Sequence, residues 1–286
     1  MAQLLKGADV VEALGEKMLK DVSALKEKGI TPTLALIRVG ERDDDISYEK
    51  TAVNRCAKIG VETRSVVLPA DVTQDAIIRN IEALNNDNSV HGVLIFRPLP
   101  KHLDETAVCA ALKPEKDVDG ITETSLAGVF SDTGKGYPPC TAQACMEILD
   151  FFGVECKGKR AVVIGRSLVV GKPAAIMLMG KNATVTVCHT KTIDVASVAR
   201  DADILIVAAG KMESVTKEYF KPGQIVIDVG MHWSNEKNKL VGDIVIDDAE
   251  PVVAAITPVP GGVGTVTTSV LVSHVVEAAK KEYRLL

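Results

Sequence analysis

Ala161-Val-Val-Ile-Gly165-Arg-Ser-Leu-Val-Val-Gly171-Lys-Pro173 is a β-branched run that breaks at a glycine and then opens a helix, with Pro173 suited to the first helical turn. Glycine lets the backbone approach a pyrophosphate closely, and the unpaired N–H groups at a helix start favour an anion. The stretch therefore predicts a strand, a turn and a helix that together hold a nucleotide. It is not a triphosphatase phosphate loop, which has four residues between its glycines and Lys-Ser/Thr after them. Here five intervene, and Pro173 stands where a magnesium-binding hydroxyl would be. The dinucleotide pattern G-x-G-x-x-G is not met to the letter either: Ser167 replaces the second glycine and Gly171 comes one residue late. An ordinary strand-turn-helix connection is the alternative on this stretch alone.

The surroundings favour the nucleotide. Residues 182–188 read as a second strand, 203–209 as a third and 224–229 as a fourth. Continuous apolar runs between helical stretches predict a parallel sheet covered on both faces. Gly210 and Gly230 then fall at the carboxyl ends of strands, the edge that open α/β sheets present to ligands.

The N-terminal part alternates in the same way. Residues 10–28 predict a helix stopped at Gly29, 33–39 a strand, and 46–59 a helix ended by Gly60. Then 61–68 read as a strand, 73–85 as a helix capped near Asp71 or Thr73, and 90–96 as a buried strand. The Gly/Pro-rich passage 134–140 marks a boundary, and 257–264 is a dense turn before a final apolar helix from 266 to about 282. The whole predicts an α/β protein of two lobes with a cleft.

Composition bounds the function. A chain of 286 residues, 47% hydrophobic and 25% charged, suits one large domain or two of ordinary size. A net charge of -5 without a dense basic block argues against nucleic acid. The absence of a long apolar run or a signal-like N-terminus predicts no membrane association. Six scattered cysteines (Cys56, Cys109, Cys140, Cys145, Cys156, Cys188) form no C-x-x-C pair, and each reads as a small buried apolar residue in a reducing cytoplasm. Five dispersed histidines predict no metal site.

Six motifs, in order, resemble the methylenetetrahydrofolate dehydrogenase/cyclohydrolase family over nearly the whole chain. They are Lys116-Asp-Val-Asp-Gly120, Pro139-Cys-Thr141, the glycine turn from Gly165 to Pro173, Ala183-Thr-Val-Thr-Val-Cys-His189, Val241-Gly-Asp243 and Thr257-Pro-Val-Pro-Gly-Gly-Val-Gly264. The resemblance implies a homodimer whose subunits have two αβα lobes. Residues 1–138, joined by the C-terminal helix at about 266–286, would be the folate-binding catalytic domain. Residues 139–265 would be an NAD(P)-binding Rossmann domain with a doubly wound parallel sheet.

The resemblance also assigns residues. Asp119 would bind the pterin ring of tetrahydrofolate and Tyr48 would stack near the reacting centre, with Phe96, Pro98 and Leu99 beside them. Pro258, Gly261 and Gly262 would form a wall next to folate and nicotinamide. Cofactor contacts would come from Thr141, from Gly165, Arg166, Ser167, Val170 and Gly171, and from His189, Thr190 and Lys191. Further contacts would come from Ala209, Gly210 and Gly230 at the strand ends, and from Asp243, Gly264 and Thr265. Without the resemblance, Tyr48 reads as a helix residue in a core and Asp119 as a turn residue before Gly120.

NADP is expected over NAD. An NAD site often carries Asp or Glu at the end of the second strand. Here that position reads Cys188-His-Thr-Lys-Thr192, and Arg166 in the turn can meet a 2′-phosphate.

The chain departs from the family near Tyr48. The family's Tyr-x-x-x-Lys reads Tyr48-Glu-Lys-Thr-Ala52, its serine three before the tyrosine is Asp45, and a glutamine before its Leu-Pro-Leu-Pro is Phe96. Lys50 is no substitute, because position i+4 on a helix lies about 40° from Tyr48 and i+2 about 200° away. Asp45 reads as a helix-capping or solvated acid in the run 41–45.

Oxidising 5,10-methylenetetrahydrofolate needs orientation more than a protein acid or base. Hydrolysing the methenyl product needs both a proton-transfer group and a polarising donor, the roles the resemblance gives to the lysine and glutamine. The expectation is a cytoplasmic dehydrogenase with lost or severely impaired cyclohydrolase activity, and possibly a separate cyclohydrolase in its pathway. The alternatives are a bifunctional enzyme, a dehydrogenase for another small substrate, and a non-catalytic folate- or nucleotide-binding protein.

Overall fold

The computed structural model describes residues 1–283. In chain order the first elements are β1 (Gln3–Leu4), α1 (Gly7–Glu27), β2 (Thr33–Val39), α2 (Asp43–Ile59), β3 (Glu62–Leu68), α3 (Gln74–Asn85) and β4 (Gly92–Ile95). Three short helices follow, α4 (Glu105–Ala110), α5 (Glu123–Ser131) and α6 (Cys140–Phe151). The nucleotide-type alternation then runs β5 (Arg160–Ile164), α7 (Gly171–Gly180), β6 (Thr184–Cys188), α8 (Val195–Arg200), β7 (Ile204–Val207) and β8 (Ile225–Asp228). The chain closes with β9 (His232–Ser234), β10 (Lys239–Val241), α9 (Ile246–Ala249), β11 (Ala255–Ile256) and α10 (Val263–Glu282).

The chain divides into two compact units. One joins Met1–Glu12 to Thr141–Thr267, and the other joins Ala13–Cys140 to residues 268 onward.

The unit of residues 13–140 and 268 onward holds a parallel sheet in the order β3-β2-β4. Its helices start where side chains can satisfy free N–H groups. Thr73 accepts from the backbone of Ala76 at 3.3 Å, Asp104 from Ala107 at 3.1 Å and Thr122 from Ser125 at 3.1 Å. The central strand β2 is apolar on both faces, and Ile37, Ile77, Ile81, Val93 and Ile95 form a fully enclosed core between sheet and helix. Each such side chain contributes roughly 1.5–3 kcal/mol by leaving water.

The unit of residues 1–12 and 141–267 carries a six-stranded sheet in the order β1-β11-β8-β7-β5-β6, parallel throughout. The chain goes from β5 out to β6 and then back across to β7, so the strand order reverses beside β5. That is the switch point where open α/β sheets leave a crevice at their carboxyl ends. Leu205, Val207, Val226 and Ile256 fill the core between this sheet and its helices.

Several features differ from the sequence expectation, the first being the lobe boundary: residues 1–12, expected with the first lobe, belong to the unit of the six-stranded sheet. The two-residue strand β1, not anticipated, pairs Gln3 with Ala255 and Leu4 with Ile256. Its shortness gives no periodic signal. Strand β6, expected to be covered on both faces, lies at the sheet edge with Val187 exposed, as its alternating Thr-Val sequence allows.

Candidate active site

In the unit of residues 13–140 and 268 onward, Lys116-Asp-Val-Asp-Gly120 is built around Asp119. Lys116 Nζ donates to the carbonyls of Leu84 at 2.8 Å and Asp87 at 2.7 Å, closing the end of α3. The fully buried Asp117 carboxylate accepts from the backbones of Ile121 at 3.0 Å and Thr122 at 2.8 Å and from the Ser125 hydroxyl at 2.6 Å. The Val118 carbonyl accepts from His274 Nδ1 at 2.8 Å and the Cys140 thiol at 3.3 Å. Three consecutive residues are thus anchored to different elements, and Asp119 is left to face its surroundings.

Gly120 completes the turn at φ +69°, where a Cβ would stand 2.5 Å from the backbone of Pro138 and Pro139. Gly120→Ala combines left-handed strain with a backbone clash. It is expected to cost about 2–4 kcal/mol, read from urea unfolding.

Asp119 is half-buried, and beside it lie the half-buried Tyr48 and the buried Cys140. Burial pushes its carboxyl up to about 6, opposed by the charge of Arg97 and the neighbouring Cys140 thiol, with Asp117 adding to the rise. Burial also raises the Tyr48 phenol well above its ordinary value, with Asp119 and Cys140 adding to the rise and the Thr268 hydroxyl opposing it. Tyr48 meets Phe96 edge-on, ring centroids 5.9 Å apart and planes at 86°. Leu99 is buried beside the same loop, and Pro98 is exposed, its carbonyl accepting from Arg42 at 2.8 Å.

On α2, Ala52 is fully buried and Lys50 exposed, so Tyr48 and Ala52 share a face that Lys50 does not. Asp45 differs from its expectation. It neither caps the helix, whose N-cap is Arg42, nor lies in solvent. It is buried in the first turn with Arg42 Nε 3.7 Å away, an arrangement that offsets part of its desolvation. All six cysteines are buried and free. Sequence reading treated Cys140 as filler beyond its place in the Pro139-Cys-Thr141 motif and did not single out Thr268 or His274; only the tertiary fold brings Cys140 to Asp119, Thr268 to Tyr48 and His274 to the Val118 carbonyl.

In the unit of residues 1–12 and 141–267, the glycine turn borders a cavity of about 500 Å³. Gly165 leaves β5 at φ +123°, and a Cβ there would stand 2.2 Å from the Ala208 carbonyl; one on Gly171 would stand 2.2 Å from the Gly165 carbonyl. The late third glycine thus serves the close packing of helix on turn that the standard spacing serves elsewhere. Ser167 Oγ accepts from the backbones of Val170 at 3.1 Å and Gly171 at 3.5 Å, tying the turn to the start of α7, whose N-cap is Val170.

Of the expected cofactor residues, Gly165, Arg166, Ser167, His189, Thr190 and Ala209 line this cavity. Lys191 does not: it is exposed, its N–H donating to His189 Nδ1 at 3.1 Å. Lys211, Ser214 and Tyr219 line it instead, unforeseen because they lie beyond the third strand in an irregular segment. Thr141, Val170, Gly171, Gly210, Gly230, Gly264 and Thr265 also lie outside its lining. Asp243 has no surface for a ligand, being fully buried with one oxygen taken by Gly210 N–H at 2.9 Å and the other by His232 Nε2 at 2.7 Å. Pro258 is half-buried, Gly261 exposed and Gly262 buried.

The cavity fits an anionic nucleotide. Its wall has a backbone cradle too tight for a Cβ, three basic side chains (Arg166, His189, Lys211) and no carboxylate.

Residues 5–119 match the family model for the tetrahydrofolate dehydrogenase/cyclohydrolase catalytic domain, and residues 139–283 the model for that family's NAD(P)-binding domain. The chain belongs to the tetrahydrofolate dehydrogenase/cyclohydrolase family. It is 45% identical over 285 residues, all of both chains, to the bifunctional protein FolD of Alkaliphilus oremlandii. Among solved structures it resembles the bifunctional FolD methylenetetrahydrofolate dehydrogenase/cyclohydrolase of Campylobacter jejuni, with TM-score 0.96, 35% identity, and 99% of this chain and 100% of that one covered. It also resembles the Trypanosoma brucei dehydrogenase-cyclohydrolase complexed with NADP and inhibitor, with TM-score 0.92, 38% identity and 99% of each chain covered. These family members are named for both activities, so the expected loss of cyclohydrolase activity finds no support in them, nor does a separate cyclohydrolase partner. Among the described residues no helix is long and apolar enough to cross a membrane.

Proposed function

We propose that this chain oxidises 5,10-methylenetetrahydrofolate to the methenyl form with NADP, and that it also hydrolyses the methenyl product. The observation that carries the first reaction is the cluster of Asp119, Tyr48 and Cys140. It offers a carboxylate acceptor beside an aromatic ring in a largely desolvated setting, suited to a pterin that presents N–H donors on a flat face. Nicotinamide, when bound, supplies the acceptor for the hydride leaving the one-carbon bridge. The chain's own work is to bind, orient and exclude water. On this reading the unit of residues 13–140 and 268 onward holds folate, and the unit of residues 1–12 and 141–267 holds the dinucleotide. Hydride transfer by purified protein, followed at the nicotinamide absorbance with each cofactor, tests the first reaction; no transfer with either cofactor overturns it.

NADP is supported by Arg166, exposed in the cavity wall, by the absence of a carboxylate there, and by the NADP bound to the T. brucei relative. Arg166→Ala is expected to raise KM for NADP about tenfold or more and KM for NAD less than threefold, since only NADP carries the 2′-phosphate. Equal changes would remove the phosphate role.

Hydrolysis is supported by the relatives' names. A weak or absent second reaction is favoured by one observation, the buried Ala52 where the resemblance places a lysine. Decay of methenyltetrahydrofolate absorbance with and without protein separates the two. A homodimer and a cytoplasmic location belong to the same proposal; sedimentation and cell fractionation would test them.

A further inference from the structure

The sheet bordering the candidate cofactor cavity holds two buried acids that the reaction does not use. Asp228 ends β8 and Asp243 follows β10. Asp228 Oδ1 accepts from the backbones of Gly230 at 2.9 Å and Asp243 at 3.1 Å, and its Oδ2 from Ile244 at 3.1 Å. Asp243 in turn accepts from Gly210 N–H and His232 Nε2. Thr257 Oγ1 accepts from the Asp228 backbone at 2.8 Å and donates to its carbonyl at 3.3 Å.

These bonds gather chain from four places. Gly210 follows β7, Gly230 follows β8, residues 243–244 follow β10, and Thr257 follows β11. Strands β7, β8 and β11 are adjacent and parallel, so Gly210, Gly230 and Thr257 share the carboxyl edge of one sheet. The fit is tight: a Cβ at Gly242 would lie 1.8 Å from Asp228 Oδ2, and one at Gly230 2.5 Å from Asp243 Oδ1.

Burial pushes the Asp228 carboxyl up to about 7, with its backbone donors pulling it down and Asp243 adding to the rise. Apolar side chains could fill the same volume without that penalty. What two carboxylates supply is fixed direction for loop ends that have no regular structure, at the edge where such sheets bind ligands.

We propose that Asp228 and Asp243, with His232, are positioning residues that hold the strand ends framing the nicotinamide end of the cofactor site, while the adenosine end beside Arg166 depends on them little. This rests on the reading of that edge as the NADP site.

The half-buried His232 gives the cleanest variant, because it removes one donor to Asp243 and leaves the buried pair in place. Titration calorimetry of His232→Ala with NADP should show about tenfold weaker binding, the size of one charge-assisted hydrogen bond. Binding of adenosine 2′,5′-bisphosphate should change less than threefold. His232→Gln, which keeps a donor, should recover most of the NADP affinity, and Asp243→Asn should lose more than His232→Ala. The emission of Trp233, the single tryptophan and the next residue on β9, should shift in unliganded His232→Ala as the strand end loosens.

Wild-type NADP affinity in His232→Ala overturns the proposal, and so does an equal loss of both ligands, which would mark a merely structural role. If the wild-type protein binds neither ligand, the cofactor reading itself falls and this inference with it. Should Asp243→Asn fail to fold, His232→Ala decides alone.

Discussion

Asp119→Ala is expected to lower kcat/KM for 5,10-methylenetetrahydrofolate by about 100-fold or more, while the affinity for NADP stays within about twofold. The neighbours of Asp119 are already committed: Asp117 to three donors, the Val118 carbonyl to His274 and Cys140, Gly120 to the turn. Asp119 is the group this structure leaves for a ligand. A paired acceptor for two pterin N–H donors is worth a few kcal/mol in a desolvated site, which corresponds to about two powers of ten. Asp119→Asn keeps the shape and one acceptor, so its loss should be smaller.

The pH profile provides an independent check. With the carboxyl pushed up to about 6, the ionised acceptor is scarce at pH 5 and dominant by pH 7. The wild-type kcat/KM should therefore rise across that interval and level off, and Asp119→Ala should lack this limb. The stability effect has the opposite sign. A folded-state value raised above the ordinary carboxylate value means the folded protein holds this proton more tightly, so the contribution of Asp119 is favourable below pH 4 and is lost as pH rises through 6. Unliganded Asp119→Ala should melt no lower than wild type at pH 8. A flat wild-type profile, or a variant with wild-type kcat/KM, would remove Asp119 from the pterin site.

The regular parts of this fold were legible because their signals are local. The strand Thr33–Val39, apolar from Leu34 to Ile37, has its predicted bounds, α2 stops at Gly60, and Thr73 caps α3 as its side chain allows. Helix α7 opens at Gly171, where the glycine turn requires it. What the sequence withheld depends on distance along the chain. Cys140 reaches His274 at 3.8 Å across a separation of 134 residues, and no periodicity announces that pair. Asp228 was not singled out and Asp243 was expected to contact the cofactor; their shared network appears only when β8 and β10 are placed. Lys191 was expected beside the nucleotide because it follows the second strand closely, yet Lys211 lines the cavity, since the chain bends at Gly210 and carries its next residue to the wall.

On the second reading, in which the buried Ala52 leaves hydrolysis weak or absent, Ala52→Lys combined with Phe96→Gln is expected to raise hydrolysis of methenyltetrahydrofolate about 100-fold above the wild-type rate, the usual size of a general acid-base contribution, with hydride transfer changed by less than about tenfold; on the proposed bifunctional reading the wild type is already as fast. Ala52 can neither give nor take a proton, and it lies fully buried on the face of α2 shared with Tyr48. Phe96, almost fully buried and edge-on to Tyr48, offers no polarising donor. A lysine at position 52 would be desolvated, which lowers its pKa towards neutrality and suits it to move a proton. The two changes belong together, because groups that act on one step are not additive and either alone is expected to recover less. Circular dichroism and the dehydrogenase rate would establish that the double variant folds. Absorbance decay, corrected for spontaneous hydrolysis, then reads the result. A wild-type rate as fast as that of the double variant would mean that another side chain activates water. A wild-type rate at background, with the variant well above it, would mean that this chain has lost hydrolysis through position 52.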